Sequence, residues 1–321
     1  MPIPGRLIIP RCEPMPVHPE DNILYLDFAR KIADKIGFAD DVPDVVWHYT
    51  SAAGLIGILH SGSIFATQLA CLNDQTELRY AISLLRNALQ QLRNHSGNDE
   101  DIDYLLDLVA KSAGVDVAPE SPYFVSCFSR HADDLSQWRA YGGGENGYAL
   151  GFETRHLISA HSLIAKVNYD RALHEDIATQ VAAAFLIFFK EGMKMGRAAS
   201  REIWVVEFAA AWEAAMGKIG PMLKDPAFEA EGEFRCIHRL EIDERKRIQF
   251  RQKQGLLARH LPLDFPPPGR PRSEMLPIVE VIVGPCRHPS VSKSSVDELL
   301  RQKGYGNMTK TSVSKIPFQV T

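Results

Sequence analysis

Three short runs carry side chains that could do chemistry together. Trp47-His48-Tyr49-Thr50-Ser51 sets an imidazole at the end of an apolar run and just before a helix start. A histidine there can donate from one ring nitrogen and accept at the other, although its ordinary role is that of a satisfied structural residue. Cys127-Phe128-Ser129 leads to Asp134, Trp138 and Tyr141. Rings on such a helix could stack on a flat ligand, or simply fill the core. Glu231-Gly232-Glu233-Phe234-Arg235 sets two carboxylates at i and i+2 ahead of a strand. In extended backbone both would point to one side, with Arg235 beyond them. Paired carboxylates suit acid–base work or the stabilisation of a sugar cation, and the plain alternative is a charged strand edge.

Other motif matches are weaker. The run from Gly142 to Gly147 fits G-x-G-x-x-G, but a helical segment precedes it and a strand follows, the reverse of a dinucleotide turn. It reads as a mobile glycine loop. Asp99, Glu100, Asp101 and Asp103 resemble a calcium loop without its glycine and closing glutamate, and read instead as a helix start. Ser290-x-x-Lys293 and Ser312-x-x-Lys315 lack the partner motifs of serine acyl enzymes.

Elements that would position these residues follow from periodicity. Strands are expected over 45–50, 64–66, 123–128, 147–152, 165–169, 234–240, 247–250, 276–283 and near 314–320. Helices are expected from Ser51 to Gly62 and over 23–36, 76–93, 102–113, 133–141 and 292–303, with two more over 174–195 and 199–216. Short strands without a βαβ repeat indicate an α+β chain. Residues 1–40 read as an N-terminal extension, and 41–321 as one domain with a helical insertion at about 174–216.

Composition narrows the class. The 321 residues hold 36 Lys+Arg against 40 Asp+Glu, net −4, so no bulk basicity points to nucleic acid and any basic surface must be local. The five cysteines stand far apart with no Cys-x-x-Cys pair. A zinc site is not expected, and a reducing, cytoplasmic setting is. The apolar run from Val181 to Phe189 stops at Lys190, about half of the roughly 20 residues that span a bilayer, so no membrane role is expected.

Taken in order, the three runs resemble the motifs of the His-Tyr-Glu class of ADP-ribosyltransferases, typified by the poly-ADP-ribose polymerase catalytic domain. The stretch VWHYTSAAGLIGILHSGSIFAT is similar to its first motif. His-Tyr-Thr, Asn73-Asp74-x-x-Glu77, Cys-Phe-Ser with Trp138 and Tyr141, Gly-Tyr-Ala-Leu-Gly-Phe, Glu-x-Glu-Phe-Arg and Val-Ile-Val-Gly-Pro together resemble a bacterial family of unknown function, numbered 2971, that is grouped with those enzymes. The likeness spans residues 45 to about 318, least well over 174–216.

The resemblance implies an ADP-ribosyltransferase-like α+β fold, with split antiparallel sheets around an NAD cleft and outer helices. It implies NAD as substrate, with His48 on the adenosine ribose, the Tyr49 backbone on the nicotinamide amide, and Thr50 and Ser129 in the binding site. Trp138 would stack on the nicotinamide ring, or Tyr141 if the helix is rotated. Glu233 would be the catalytic carboxylate and Glu231 would orient or deprotonate the acceptor; one register step exchanges the two. Arg235 would meet a carboxylate or the NAD pyrophosphate. The macromolecular acceptor, RNA, DNA or protein, stays open, and the Arg/Lys-rich stretch from Arg235 to Arg259 is where a basic cleft would show. Such proteins resemble toxins or phage-defence effectors, with an antitoxin or regulatory partner. NAD glycohydrolysis and a silent nucleotide-binding module are the alternatives.

Overall fold

The computed structural model describes residues 42–72, 75–113, 122–142, 147–159, 162–194, 219–253, 255–265 and 275–317. The expected extension over 1–40, Asn73-Asp74, the glycines at 143–146 and the helix expected over 199–216 lie outside the described residues.

Strand β1 (Val45–Ser51) opens on β-branched and aromatic residues that suit a pleated surface. Ser51 then caps helix α1 (Ala52–Ser61), its side chain accepting from the Gly54 amide, and Gly62 at φ +60 ends the helix. There follow β2 (Ile64–Gln68), α2 (Gln75–Ser96) and α3 (Glu100–Ala113). The Asp99 carboxylate accepts from the amides of Asp101 and Ile102, so the acidic run caps α3. Next come β3 (Tyr123–Ser129), α4 (Leu135–Tyr141), β4 (Gly147–Glu153), β5 (Ser162–Lys166) and α5 (Arg171–Lys194). The last elements are β6 (Glu233–Arg239), β7 (Gln249–Lys253), β8 (Leu256–Leu263), β9 (Ile278–Val283), α6 (Pro289–Gln302) and β10 (Lys310–Val313).

The ten strands among the described residues form one hydrogen-bonded network, antiparallel except for β9–β10. Its central feature is a fork at β3. One edge of β3 pairs along its length with β6. The other edge is shared: Ser129 pairs with Trp47 of β1, while Phe124 and Val125 pair with Gln68 and Thr67 of β2. Between these pairs, over 126–128, the ladder to β1 and β2 is interrupted among the described residues. The described strands thus make one open sheet, not the expected split pair; within it β10-β9-β4-β1 meets β5-β6-β3-β2-β8-β7 at the Trp47–Ser129 pair of β1 and β3.

Helices cover both faces. On one, α2, α3 and α5 bury Leu85, Leu89, Val109, Val181, Phe185 and Phe189 over Tyr123, Val125 and Ile237 of the sheet. The stretch expected as an insertion thus supplies, in α5, part of the main core. That helix is long and apolar enough to cross a bilayer by length and composition, yet here its apolar side packs on the sheet. On the other face α1 and α6 bury Leu55, Ile58, Leu59, Val296 and Leu300 against Phe124, Phe128, Phe152 and Phe234.

Several boundaries differ from expectation. The strand expected at 165–169 lies at Ser162–Lys166, which leaves Tyr169 outside it. The terminal strand lies at Lys310–Val313. β8 had no counterpart in the sequence reading, since Arg259, His260 and Pro262 interrupt its apolar pattern.

Candidate functional site

The fork opens a cavity of about 820 Å³, inside the range of about 300–1,000 Å³ that small-molecule sites occupy. His48, Tyr49, Thr50, Ser129, Tyr141, Glu231 and Glu233 line it, joined by Gln137 and Arg251. Seven of the nine sequence candidates thus meet at one place, from β1, β3, α4 and the approach to β6.

His48 sits where β1 leaves β3. Its Nδ1 donates to the Cys127 carbonyl at 2.9 Å and so ties the ring to β3 where the ladder is interrupted. Burial lowers its pKa, the carbonyl bond opposes that, and the Arg251 charge lowers it further. The ring is therefore neutral near pH 7, with Nδ1 protonated and Nε2 left as an acceptor. Thr50 lies against the first turn of α1: a Cβ on Gly54 would fall 1.9 Å from Thr50 Oγ1, so glycine at 54 makes room for that hydroxyl.

Trp138 and Tyr141 share α4 but face different surroundings. Trp138 is 7% exposed, donates from Nε1 to Asp133 at 2.8 Å and packs edge-on to Tyr49, with ring centroids 4.6 Å apart. It does not line the cavity. A Cβ on Gly284 would meet its ring at 2.8 Å and one on Gly147 at 3.1 Å, so these glycines let the indole sink into the core. Tyr141 is the α4 ring at the cavity. Partial burial and the Glu231 carboxylate push its phenol up to about 12, which keeps it a neutral donor. The Tyr49 hydroxyl is also committed, donating to the His131 carbonyl at 2.7 Å and accepting from the Asp134 amide at 3.1 Å.

The acidic end is built differently from the sequence expectation. Glu231 ends a 3-10 turn (Pro226–Glu231), and Gly232 at φ +52 bends the chain into β6, so the two glutamates are not successive rungs of one strand. They converge because Lys224 Nζ reaches Glu231 Oε2 at 2.7 Å and Glu233 Oε2 at 2.9 Å. Arg235 then grips Glu233 with Nε at 2.8 Å and Nη2 at 3.0 Å, while Nη1 donates to the Pro221 carbonyl at 2.7 Å. Burial alone would raise the Glu233 pKa; Arg235 and Lys224 outweigh it and hold the carboxyl at about 2. Arg235, expected among the ligand-binding residues, is 3% exposed and is not part of the cavity wall. Its fork is filled by a carboxylate and a carbonyl.

Backbone ties fix this end to β3. Ser129 Oγ donates to the Glu231 carbonyl at 2.9 Å and accepts from the His131 amide at 3.1 Å, and the Arg130 amide donates to the Gly232 carbonyl at 2.9 Å. The Tyr169 hydroxyl accepts from the Glu233 amide at 3.2 Å.

Lys224, Tyr169, Gln137 and Arg251 were not singled out from sequence. A lone lysine in Met222-Leu223-Lys224-Asp225 carries no local signal, and only the folded turn brings it beneath the glutamates. Arg251 lay inside the basic stretch but nothing in its neighbours marked it.

Residues 137–236 match the model of a family described as "Protein of unknown function (DUF2971)". The match covers roughly a third of the chain, taking in most of α4 with Tyr141, and Lys224, Glu231, Glu233 and Arg235, but neither His48 nor Arg251. No curated protein and no solved structure matches.

Proposed function

We propose that the chain has an ADP-ribosyltransferase-like fold and transfers ADP-ribose from NAD to a macromolecule. One observation carries this reading: a neutral imidazole, an aromatic ring and a pair of carboxylates line a single cavity at the fork of the sheet. Breaking the nicotinamide–ribose bond develops positive charge on the sugar, and a fixed negative charge beside it lowers that barrier.

Hydrogen-bond capacity divides the roles of the glutamates. A carboxylate offers about four acceptor positions. Glu233 accepts from Arg235 twice and from Lys224 once, which leaves room for one ribose hydroxyl and keeps the group rigid. Glu231 has its bond to Lys224 and can turn to orient or deprotonate the acceptor. His48 Nε2 accepts from the adenosine ribose, Thr50 and Ser129 line its approach, the Tyr49 backbone meets the nicotinamide amide, and the Tyr141 ring takes the stacking place first expected for Trp138.

Exposed Arg245 and Lys246 leave the acceptor, protein, RNA or DNA, open, although part of the basic stretch is neutralised or turned inward. In the basic stretch, Arg235 and Arg247 are ion-paired, Arg239 lies 3.5 Å from Glu241, and Arg251 turns into the cavity. These four arginines therefore do not add to an outer basic surface.

Incubation with labelled NAD and cell extract tests the reading. Wild type releases nicotinamide and labels a macromolecule. Glu233→Gln lowers nicotinamide release about 10²–10³-fold. Glu231→Gln keeps most of the release and loses transfer about 10²–10⁴-fold. Release without transfer by wild type would make the protein an NAD glycohydrolase, and neither release nor transfer would overturn both.

A further inference from the structure

Among the described residues, four buried side-chain polar atoms have no hydrogen-bond partner: Ser126 Oγ, Arg251 Nε, His260 Nδ1 and Thr311 Oγ1. Such orphans are rare and each asks for an explanation. Thr311 is on β10, far along the sheet. The other three lie on β3, β7 and β8, where the cavity runs away from the glutamates.

Arg251 lines the cavity, and its Nη2 donates to Thr67 Oγ1 at 2.7 Å. No carboxylate pairs with it among the described residues, and β7–β8 pairing puts it on the same face as Thr67 and His260. His260 packs on Phe65, a cavity residue, at 4.7 Å between ring centroids. Ser126 also lines the cavity, but it follows Val125, which pairs with Thr67, so its side chain leaves the opposite face of β3. Burial and the guanidinium charge lower the pKa of both His48 and His260, so neither imidazole competes with Arg251 as a cation. A half-buried guanidinium with an unused Nε–H and no counter-charge among the described residues offers a donor to an oxyanion in the cavity.

We propose that the Arg251 end of the cavity is a phosphate subsite, contacted by the Arg251 guanidinium, and that it makes the site selective for phosphorylated nucleotides over nucleosides. With NAD as ligand it takes the diphosphate. That identification rests on the proposed function, whereas the subsite rests on the orphaned Arg251 donor.

Calorimetric titration with ADP-ribose, adenosine and inorganic pyrophosphate tests this. Wild type prefers ADP-ribose to adenosine. In Arg251→Gln that preference falls about 10- to 100-fold, and Arg251→Lys, which keeps the charge but loses the fork, falls in between. Melting curves establish that the variants are folded. An ADP-ribose affinity in folded Arg251→Gln equal to wild type would overturn the subsite while leaving NAD binding intact. Pyrophosphate binding that depends on Arg251, with no binding of ADP-ribose or NAD, would uphold the subsite and overturn the NAD reading. Failure of all three probes on wild type would overturn both.

Discussion

The two ends of the cavity hold charge in opposite ways. At the acidic end Glu231, Glu233, Lys224 and Arg235 form a neutral cluster in which each charge has a partner within 3 Å. At the other end Arg251 has a threonine hydroxyl and an unused Nε–H. Folding completes the first arrangement, whereas the second keeps an unused Nε–H at the place proposed for a ligand phosphate. The polarity fits a ligand with phosphates at one end and a developing sugar cation at the other, which is the distribution NAD has during loss of nicotinamide.

Arginine replacement gives the sharpest contrast between the ends. Arg235→Leu removes two bonds from a 6%-exposed carboxylate and leaves Glu233 with Lys224 alone, so it destabilises the fold by about 3–5 kcal/mol. Arg251→Leu breaks no ion pair among the described residues and loses one hydrogen bond from a half-buried side chain, so its effect stays within about 1 kcal/mol. Chemical denaturation of the two variants against wild type is the measurement. Equal losses would mean that Arg251 is as deeply built into the fold as Arg235, and the contrast would fail.

Acid attacks the same difference. Glu233 has its carboxyl at about 2 when folded, against an ordinary value of 4.5. Its folded pKa is depressed, so the unfolded chain binds the extra proton between these values and stability rises with pH there. About 3 kcal/mol is present above pH 4.5 and lost as pH falls towards 2. Melting temperature should therefore drop steeply between pH 5 and 2.5, and Glu233→Gln should flatten that slope. An unchanged slope in the variant would place the acid sensitivity elsewhere.

These particulars show what the sequence could and could not carry. Local chemistry was legible: the Ser51 cap, the Gly62 stop, the amphipathic α2 and the strands bearing His48 and Glu233 all follow from neighbours within a few residues. Register across β3 was not, because the fork depends on which residues β1 and β2 leave unpaired, a property of three strands at once. For the same reason i and i+2 spacing suggested that Glu231 and Glu233 share a strand face, whereas a glycine turn and a lysine seven residues upstream of Glu231 bring them together. Trp138 and Tyr141 show a related limit. Three residues apart on α4, they differ in role because Gly147 and Gly284 admit only the indole into the core.

The smallest expected effect lies at His48, between the two ends. Burial, with the Arg251 charge, keeps its pKa below 6.5, so the imidazole stays neutral through pH 6.5 in the fold while it protonates in the unfolded chain. Stability attributable to this group therefore declines as pH falls below 6.5. Ligand affinity declines only at the lower, folded pKa, where Nε2 gains a proton and no longer accepts from a ribose hydroxyl. One lost hydrogen bond corresponds to about a fivefold weakening. Protonation also adds a cation beside Arg251, which attracts phosphate, so a nucleoside and its diphosphate should respond in opposite directions. Titrating adenosine and ADP-ribose from pH 7.5 downward, as far as the protein stays folded, separates the contributions: where His48 protonates, adenosine binding weakens while ADP-ribose binding holds or strengthens. Parallel weakening of both would show that His48 acts on the ribose alone and that its charge does not reach the phosphate end.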